Sequence, residues 1–507
     1  MKKLIILLAT VSVAFAGDAP QWGGTPENNM VTSETNLPLD FDGGKKKRGT
    51  DEIDMTTTKN VKWVAKVGSS TYGTPTIGEG KVIVGTNNES PRNEAIVGDR
   101  GVVMCFDEET GEFLWQLTVP KLGAGKVSDW EYLGICSSAT IEDGRCYIIT
   151  NRCEVICLDM DGMADGNDGP FEDEGQYMAE EGKPPVAVGD TDADIIWVYD
   201  MREELSVFPH NVASSSILKI GNELFVTTSN GVDWSHVNVP IPDAPALIKL
   251  DAETGELTGE EDAFDGNTIM HCNWSTPTQG VIDGKPVVIF GAGDGFTYCF
   301  STETEPNEDG FDILKMIWSV DCNPPEYRHD EDGKPIKYAT YEGPSEIIST
   351  PVVYKDKVYV CIGQDPEHGE GVGMMTCIDL KTGKPLWTYK DIERSISTPS
   401  VLDDIVYVAD YRGQVHAVDA NTGEPFWVFD TKSHIWSSTL VGDGKVYIPN
   451  EDGEVIILAT GKEMKEIGRV EFSAPIYTSA VAANGVLYVA SMTHLFAFKK
   501  GAETAAN

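Results

Sequence analysis

Residues 396–430 read ISTPSVLDDIVYVADYRGQVHAVDANTGEPFWVFD. Four short runs, Ile396–Val401, Val406–Ala409, Gln414–Val418 and Phe426–Phe429, alternate apolar and polar positions and are joined by tight turns. Period two over such lengths specifies strands, and the short connections specify an antiparallel meander. The last turn carries Asp-x-x-Thr-Gly-x-x-x-Trp, at Asp419-Thr422-Gly423-Trp427. The same motif recurs as Asp107-Thr110-Gly111-Trp115 and Asp379-Thr382-Gly383-Trp387, and without its Trp as Asp251-Thr254-Gly255. The Asp accepts from turn N–H groups, the Gly supplies a positive φ, and the next strand delivers an indole between neighbouring sheets.

Walking outward with this template gives eight units. First strands begin near Gly73, Ser137, Ala213, Ser275, Ile348, Ile396, Trp436 and Tyr477, and insertions in units two and four delay their Trp to Trp197 and Trp318. The eighth unit stops one strand short, and Val61–Ala65, with Trp63, supplies it from the other end. The expected fold is all-β: an eight-bladed β-propeller of four-stranded antiparallel blades, its ring closed by an N-terminal strand so that no edge is left to aggregate. The propeller occupies residues 60–500, after a lead-in at 17–59 and before a tail at 501–507.

Residues 1–16 have a basic start, an apolar run and Ala14-Phe15-Ala16, the pattern of a secretory signal peptide. An exported protein, periplasmic or extracellular, is expected. Losing that segment removes two lysines and takes the formal charge from −42 to −44. Such acidity excludes nucleic acid and anionic membrane surfaces as partners. No transmembrane segment is expected in the remainder.

These repeats resemble the pyrroloquinoline-quinone (PQQ) repeat family of propellers, over residues 60–500. Gln21-Trp22-Gly23-Gly24 and Ser33–Pro38 are similar to the lead-in of exported PQQ-like propellers. The family includes quinoprotein alcohol dehydrogenases and the outer-membrane assembly lipoprotein of the BAM complex. The resemblance implies an eight-bladed ring and raises PQQ and Ca²⁺ as possible cofactors. In the dehydrogenases PQQ sits on the channel axis over Ca²⁺, between a Trp and a ring of two adjacent cysteines, with an Asp as base. This chain has no adjacent cysteine pair, no haem-attachment Cys-x-x-Cys-His, and no lipid-bearing Cys after the signal. No catalytic residue is therefore carried over.

Of ten cysteines, Cys105, Cys157, Cys299 and Cys377 occupy the third-strand place of Ala417, and Cys146 and Cys361 replace second-strand aliphatics. These six read as buried thiols. Cys136, Cys153, Cys272 and Cys322 fall near strand ends, where pairing is open.

Loops from fourth to first strand and from second to third strand share one face of a propeller. The long ones carry His210, Asn211, Asp233, Trp234, His236, His271, His329, Asp365, His368 and Glu370, with His434 ahead of blade seven. Six of eight histidines thus map to one face, the expected ligand-binding face. Asp233–His236 and Asp365–Glu370 each combine His with carboxylate and suit a metal without specifying its class. On the opposite face Asp159, Asp161, Asp165, Asn167 and Asp168 lie among glycines, an oxygen-rich loop of the kind Ca²⁺ uses. The rest of that insertion, to about Asp194, is acidic and rich in Gly and Pro, and is expected to be mobile.

Two function classes follow. The first is a binding or scaffold platform that takes a protein, peptide, glycan or small molecule on its loop face. The alternative is a PQQ- and Ca²⁺-dependent oxidoreductase acting on an alcohol or sugar.

Overall fold

The computed structural model describes residues 17–502. The expected signal peptide and residues 503–507 of the tail lie outside the described residues.

Eight four-stranded antiparallel meanders form the ring. Blade six is Ser400–Leu402, Ile405–Ala409, Gln414–Asp419 and Pro425–Asp430, so residues 396–430 make one blade. Blade eight has three strands from the C-terminal end, Val481–Ala483, Val486–Ala490 and His494–Phe498. Its outer strand is Val61–Lys66, with Ala65 opposite Leu495 and Val61 opposite Phe498. Blades three and four depart from the pattern. The last two strands of blade four are long, Phe296–Pro306 and Asp312–Asp321, and Ile313 pairs with Glu260 of blade three.

The repeated turn explains how blades dock. Asp107 and Asp379 accept the N–H groups of Thr110 and Thr382 at 2.7 and 2.8 Å. Gly383 and Gly423 have φ of +68° and +79°. Each turn receives the indole of the preceding blade: Trp387 Nε1 donates to Ala420 O at 3.2 Å, and Trp318 Nε1 to Leu380 O at 2.9 Å. Trp63 of the closing strand does the same to Glu108 O at 2.9 Å, so the closure between blades eight and one uses the ordinary joint. Opposite each indole on the third strand stands a small residue, as in Cys105–Trp115, Cys377–Trp387 and Ala417–Trp427.

A second joint runs around the channel. Near the start of each inner strand is a Ser or Thr, and in six of the eight blades its hydroxyl oxygen accepts an N–H from the blade before it. Ser138 donates to Ser216 Oγ (3.0 Å), Ser216 to Thr276 Oγ1 (3.0 Å), Thr350 to Thr398 Oγ1 (3.2 Å) and Thr398 to Ser438 Oγ (2.9 Å). Ser438 donates to Ser479 Oγ (2.8 Å), and Ser479 to Thr74 Oγ1 (3.1 Å), which crosses the seam of the ring. Buried hydrogen bonds of this kind contribute about 1 kcal/mol each.

The lead-in does more than precede the ring. Ala19 exchanges hydrogen bonds with Ile77, Gln279 N–H donates to Pro26 O, Val353 N–H to Glu27 O, and Thr32 N–H to Val441 O. Asn28 is buried and donates to Pro277 O (2.9 Å) and Thr278 Oγ1 (2.6 Å). These contacts lie at the distal ends of inner strands, away from the long loops. The lead-in therefore covers the free inner edges and closes one end of the channel.

All ten cysteines are free thiols. The six placed within strands are buried as expected. No pairing occurs among the other four: Cys153 and Cys272 donate to Thr228 O and Ser229 O, and Cys322 meets Thr297 Oγ1 at 3.3 Å. Each Sγ is thereby held by a blade-end carbonyl or hydroxyl rather than facing another sulfur. The acidic insertion is also more ordered than its composition suggests. It forms a short helix, Glu174–Tyr177, and packs Phe171, Tyr177, Met178 and Val186 on the blade-two core. Among the described residues no helix is long and apolar enough to cross a membrane.

Candidate functional site

The open end of the channel is a cup of about 380 Å³. Its wall comes from one repeat position, the residue two before each girdle hydroxyl. Blades one to four contribute Tyr72, Cys136, Ser214 and Trp274, and blades five to eight contribute Ile348, Ile396, Trp436 and Tyr477. Tyr72 and Tyr477 stack at 5.0 Å between centroids, and Trp436 lies 4.9 Å from Tyr477. Trp274, from blade four, faces this aromatic wall across the ring. The girdle hydroxyls line the level below. Trp22 of the lead-in forms part of the floor, its Nε1 donating to Thr350 Oγ1 at 3.0 Å. The polar groups at the rim are Asn211, Asp365 and Glu367, and the lining has no lysine or arginine.

Beside the cup, loops of blades three to five bring four histidines together. Ring centroids are 4.5 Å apart for His210 and His271, 4.9 Å for His210 and His236, 5.3 Å for His236 and His271, and 5.2 Å for His271 and His368. Short bridges, Pro209 with Asn230 and Gly231 with Cys272, lock the three loops that carry the first three rings. Gly231 is required by this approach, since a Cβ there would lie 2.7 Å from that of His210. Arg394, buried, gathers the carbonyls of Thr340, His368, Gly369 and Glu370 and so fixes the loop of His368 against that of Tyr338.

The outward nitrogens are held. His210 Nδ1–H donates to Val232 O at 2.6 Å, and His271 Nδ1–H to Tyr338 OH at 3.0 Å. Tyr338 in turn donates to Glu346 Oε1 at 3.0 Å, and Glu346 also accepts Cys272 N–H. The Nε2 atoms of His210, His271 and His368 are sealed from solvent and have no partner. Burial pushes His210 down to about 3, and His271 and His368 to about 4, so all three imidazoles are neutral at pH 7. Burial also raises the Glu346 carboxyl to about 8.

Not every expected residue joins this cluster. Asp233 is consumed by its own loop, accepting from Ser235 and Asn238. Trp234 is 66% exposed. Asp365 accepts from Asn211 at 3.1 Å and caps the Pro366–His368 turn, so it belongs to the cup rim. His434 is elsewhere on this face, stacked on Tyr411 at 4.5 Å and between Glu370 and Glu451 at 3.6 Å from each. His329 is exposed and apart. On the opposite face Asp159, Asp161 and Asp165 converge, but Lys81 and Arg145 already pair with Asp161 and Asp159. Asn167 and Asp168 turn away, Asn167 donating to Glu174 and Asp168 N–H to Asp194. The five do not form one oxygen cage.

Tyr338, Glu346 and the aromatic wall were not singled out by sequence reasoning. The wall had a signal: aligning the repeats places Tyr72, Trp274, Trp436 and Tyr477 in one column, where other blades carry Cys, Ser or Ile.

Residues 315–492 match a PQQ-repeat family model described as outer membrane protein assembly factor BamB. The fold is similar to the crystal structure of BamB from Moraxella catarrhalis, at a TM-score of 0.52 and 15% identity, covering 87% of this chain and 98% of that one. A computationally designed protein, Ika8, gives 0.46 and 13%, covering 86% and 97%. Quinohemoprotein alcohol dehydrogenase from Comamonas testosteroni gives 0.47 and 12%, covering 96% and 81%. No curated protein sequence matches the chain.

Proposed function

From a chain that carries the PQQ-type propeller repeat, we propose a binding protein that takes a neutral sugar ring of a glycan into its axial cup. The observation that carries this reading is the lining: aromatic faces on opposite sides of a closed-floor cup, a ring of hydroxyls beneath, and no basic side chain. A pyranose offers apolar C–H faces to such walls and hydroxyls at its edge. Asn211, Asp365, Glu367 and the girdle supply both donors and acceptors for those hydroxyls. The cup volume is within the range of small-ligand sites. The matched family description, an assembly factor, is that of a protein acting by association.

The quinoprotein alternative meets a cup that does not fit its cofactor. PQQ carries three carboxylates, and here they would enter a site with two acids, no base and a formal protein charge of −42. Cys136 is the lone thiol in the wall and cannot form the adjacent-cysteine ring. No oxidation step through PQQ follows from these residues.

The test is a panel of neutral, acidic and basic oligosaccharides presented to purified protein and to Trp436→Ala and Tyr477→Ala variants. Retention of a neutral member, weakened at least tenfold by either variant with unchanged circular dichroism, is expected. Retention of acidic members alone, or binding indifferent to both variants, would overturn the reading.

A further inference from the structure

The histidine cluster has a different chemistry from the cup and stands independently of the sugar reading. We infer that His210, His236 and His271 bind one divalent late first-row transition ion, Zn²⁺ in a tetrahedral site, with His368 beside the fourth position.

Three observations converge on this. One donor atom from each of the three residues lies within 4.8 Å of the others. His210 and His271 are each 1% exposed, yet their Nε2 atoms have no partner, and the Nε2 of His368 is equally orphaned. Leaving a buried polar atom unpaired is costly, so three beside one another call for a common partner. Water is a poor one for a set of convergent lone pairs, because each water offers only two protons. A cation meets all of them at once.

The third observation is the outer layer. Metal-bound imidazoles are held through their other nitrogen by a carbonyl or a carboxylate-linked group. His210 has Val232 O in that place, and His271 has Tyr338 backed by Glu346. The bond to Val232 O puts the proton of His210 on Nδ1 and leaves its Nε2 as a lone pair. The donor set is all nitrogen, which selects Zn²⁺ or Cu²⁺ over Ca²⁺ or Mg²⁺.

Closure is small. Zn–N distances of about 2.0–2.1 Å in a tetrahedron separate ligand nitrogens by about 3.3 Å. His236 is exposed on the Asp233–Asn238 loop, with φ of +54°, and can make that movement, whereas His210 and His271 are fixed. The site shares a wall with the cup, since the ring of Trp274 lies 4.9 Å from that of His271.

The experiment uses the full chain from residue 17, stripped with chelator, equilibrated with Zn²⁺ and analysed for bound metal. One Zn²⁺ per chain is expected, with Co²⁺ giving the intense visible bands of a tetrahedral nitrogen site. His236→Ala should weaken Zn²⁺ at least tenfold, His271→Gln should abolish stoichiometric binding, and His329→Ala should change nothing. Cu²⁺ should compete and Ca²⁺ should not. Should His271→Gln fail to fold, His236→Ala on its exposed loop decides. Absence of Zn²⁺ at 100-fold excess over protein, binding that survives His236→Ala unchanged, or displacement by Ca²⁺ would each overturn the assignment.

Discussion

Adding one methyl group at Gly423 tests the inter-blade joint. Gly423 has φ of +79°, and a Cβ there would lie 2.7 Å from Cε3 and 2.9 Å from Cδ2 of Trp387. Two costs add. Holding Ala in the left-handed region costs about 1 kcal/mol. Pushing the indole off its turn, and loosening its N–H bond to Ala420 O, adds about 2 kcal/mol. Gly444 separates the two, because its φ is +73° and nothing lies within 4 Å of its would-be Cβ. Gly423→Ala should therefore destabilise by about 3 kcal/mol and Gly444→Ala by about 1 kcal/mol. In a Trp387→Ala background the steric part vanishes, so the double-mutant coupling should be about 2 kcal/mol. Urea unfolding followed by far-ultraviolet circular dichroism measures the natural chain and all four variants. Coupling below about 0.5 kcal/mol would refute the claim that these glycines exist to admit the neighbouring indole.

Three further outcomes are expected. Asn28→Ala removes both bonds that a buried amide makes to blade four and should cost about 2 kcal/mol in urea unfolding; no change would mean the lead-in is not part of the folded unit. Native protein should react slowly with an aromatic disulfide reagent at Cys136, which is partly exposed although its thiol is pushed up to about 12, and denatured protein at all ten thiols; any deficit in denaturant would reveal a disulfide. Burial raises Glu261 to about 7, so the folded state holds its proton more tightly than the unfolded state does. Stability from this group is present below about pH 4.5 and lost as pH rises through about 7. The stability gap between the natural chain and Glu261→Gln should thus shrink by about 2–3 kcal/mol from pH 5 to pH 8. A gap independent of pH would contradict the assignment.

The repeat was legible because its signals are local. Asp379, Thr382, Gly383 and Trp387 fall within nine consecutive residues, and their spacing alone dictates turn, strand and docking indole. Closure by Val61–Lys66 was legible by subtraction, since the last blade lacked one strand. The lead-in was not: its contacts with Ile77, Gln279, Val353 and Val441 use main-chain edges, which leave no side-chain pattern. The histidines were legible singly, as polar residues on long loops. Which of them meet depended on the bridges from Pro209 to Asn230 and from Gly231 to Cys272, and on the clamp of Arg394, none of which has a spacing rule. His434, equally suggestive in sequence, is drawn instead onto Tyr411. In the acidic loop Asp159, Asp161 and Asp165 converge as their spacing suggested, but Asp161 and Asp159 also find Lys81 and Arg145, partners remote in the chain that no local pattern announces.

The axial cup is proposed to hold a neutral sugar ring and not PQQ. Calorimetric titration of the full chain from residue 17 decides between them, with the best neutral oligosaccharide in one cell and PQQ, with and without Ca²⁺, in another. One-to-one heat with the sugar, lost in Trp436→Ala, and none with PQQ under either condition, is the expected result. One-to-one, Ca²⁺-dependent heat with PQQ and silence with the sugar would contradict it.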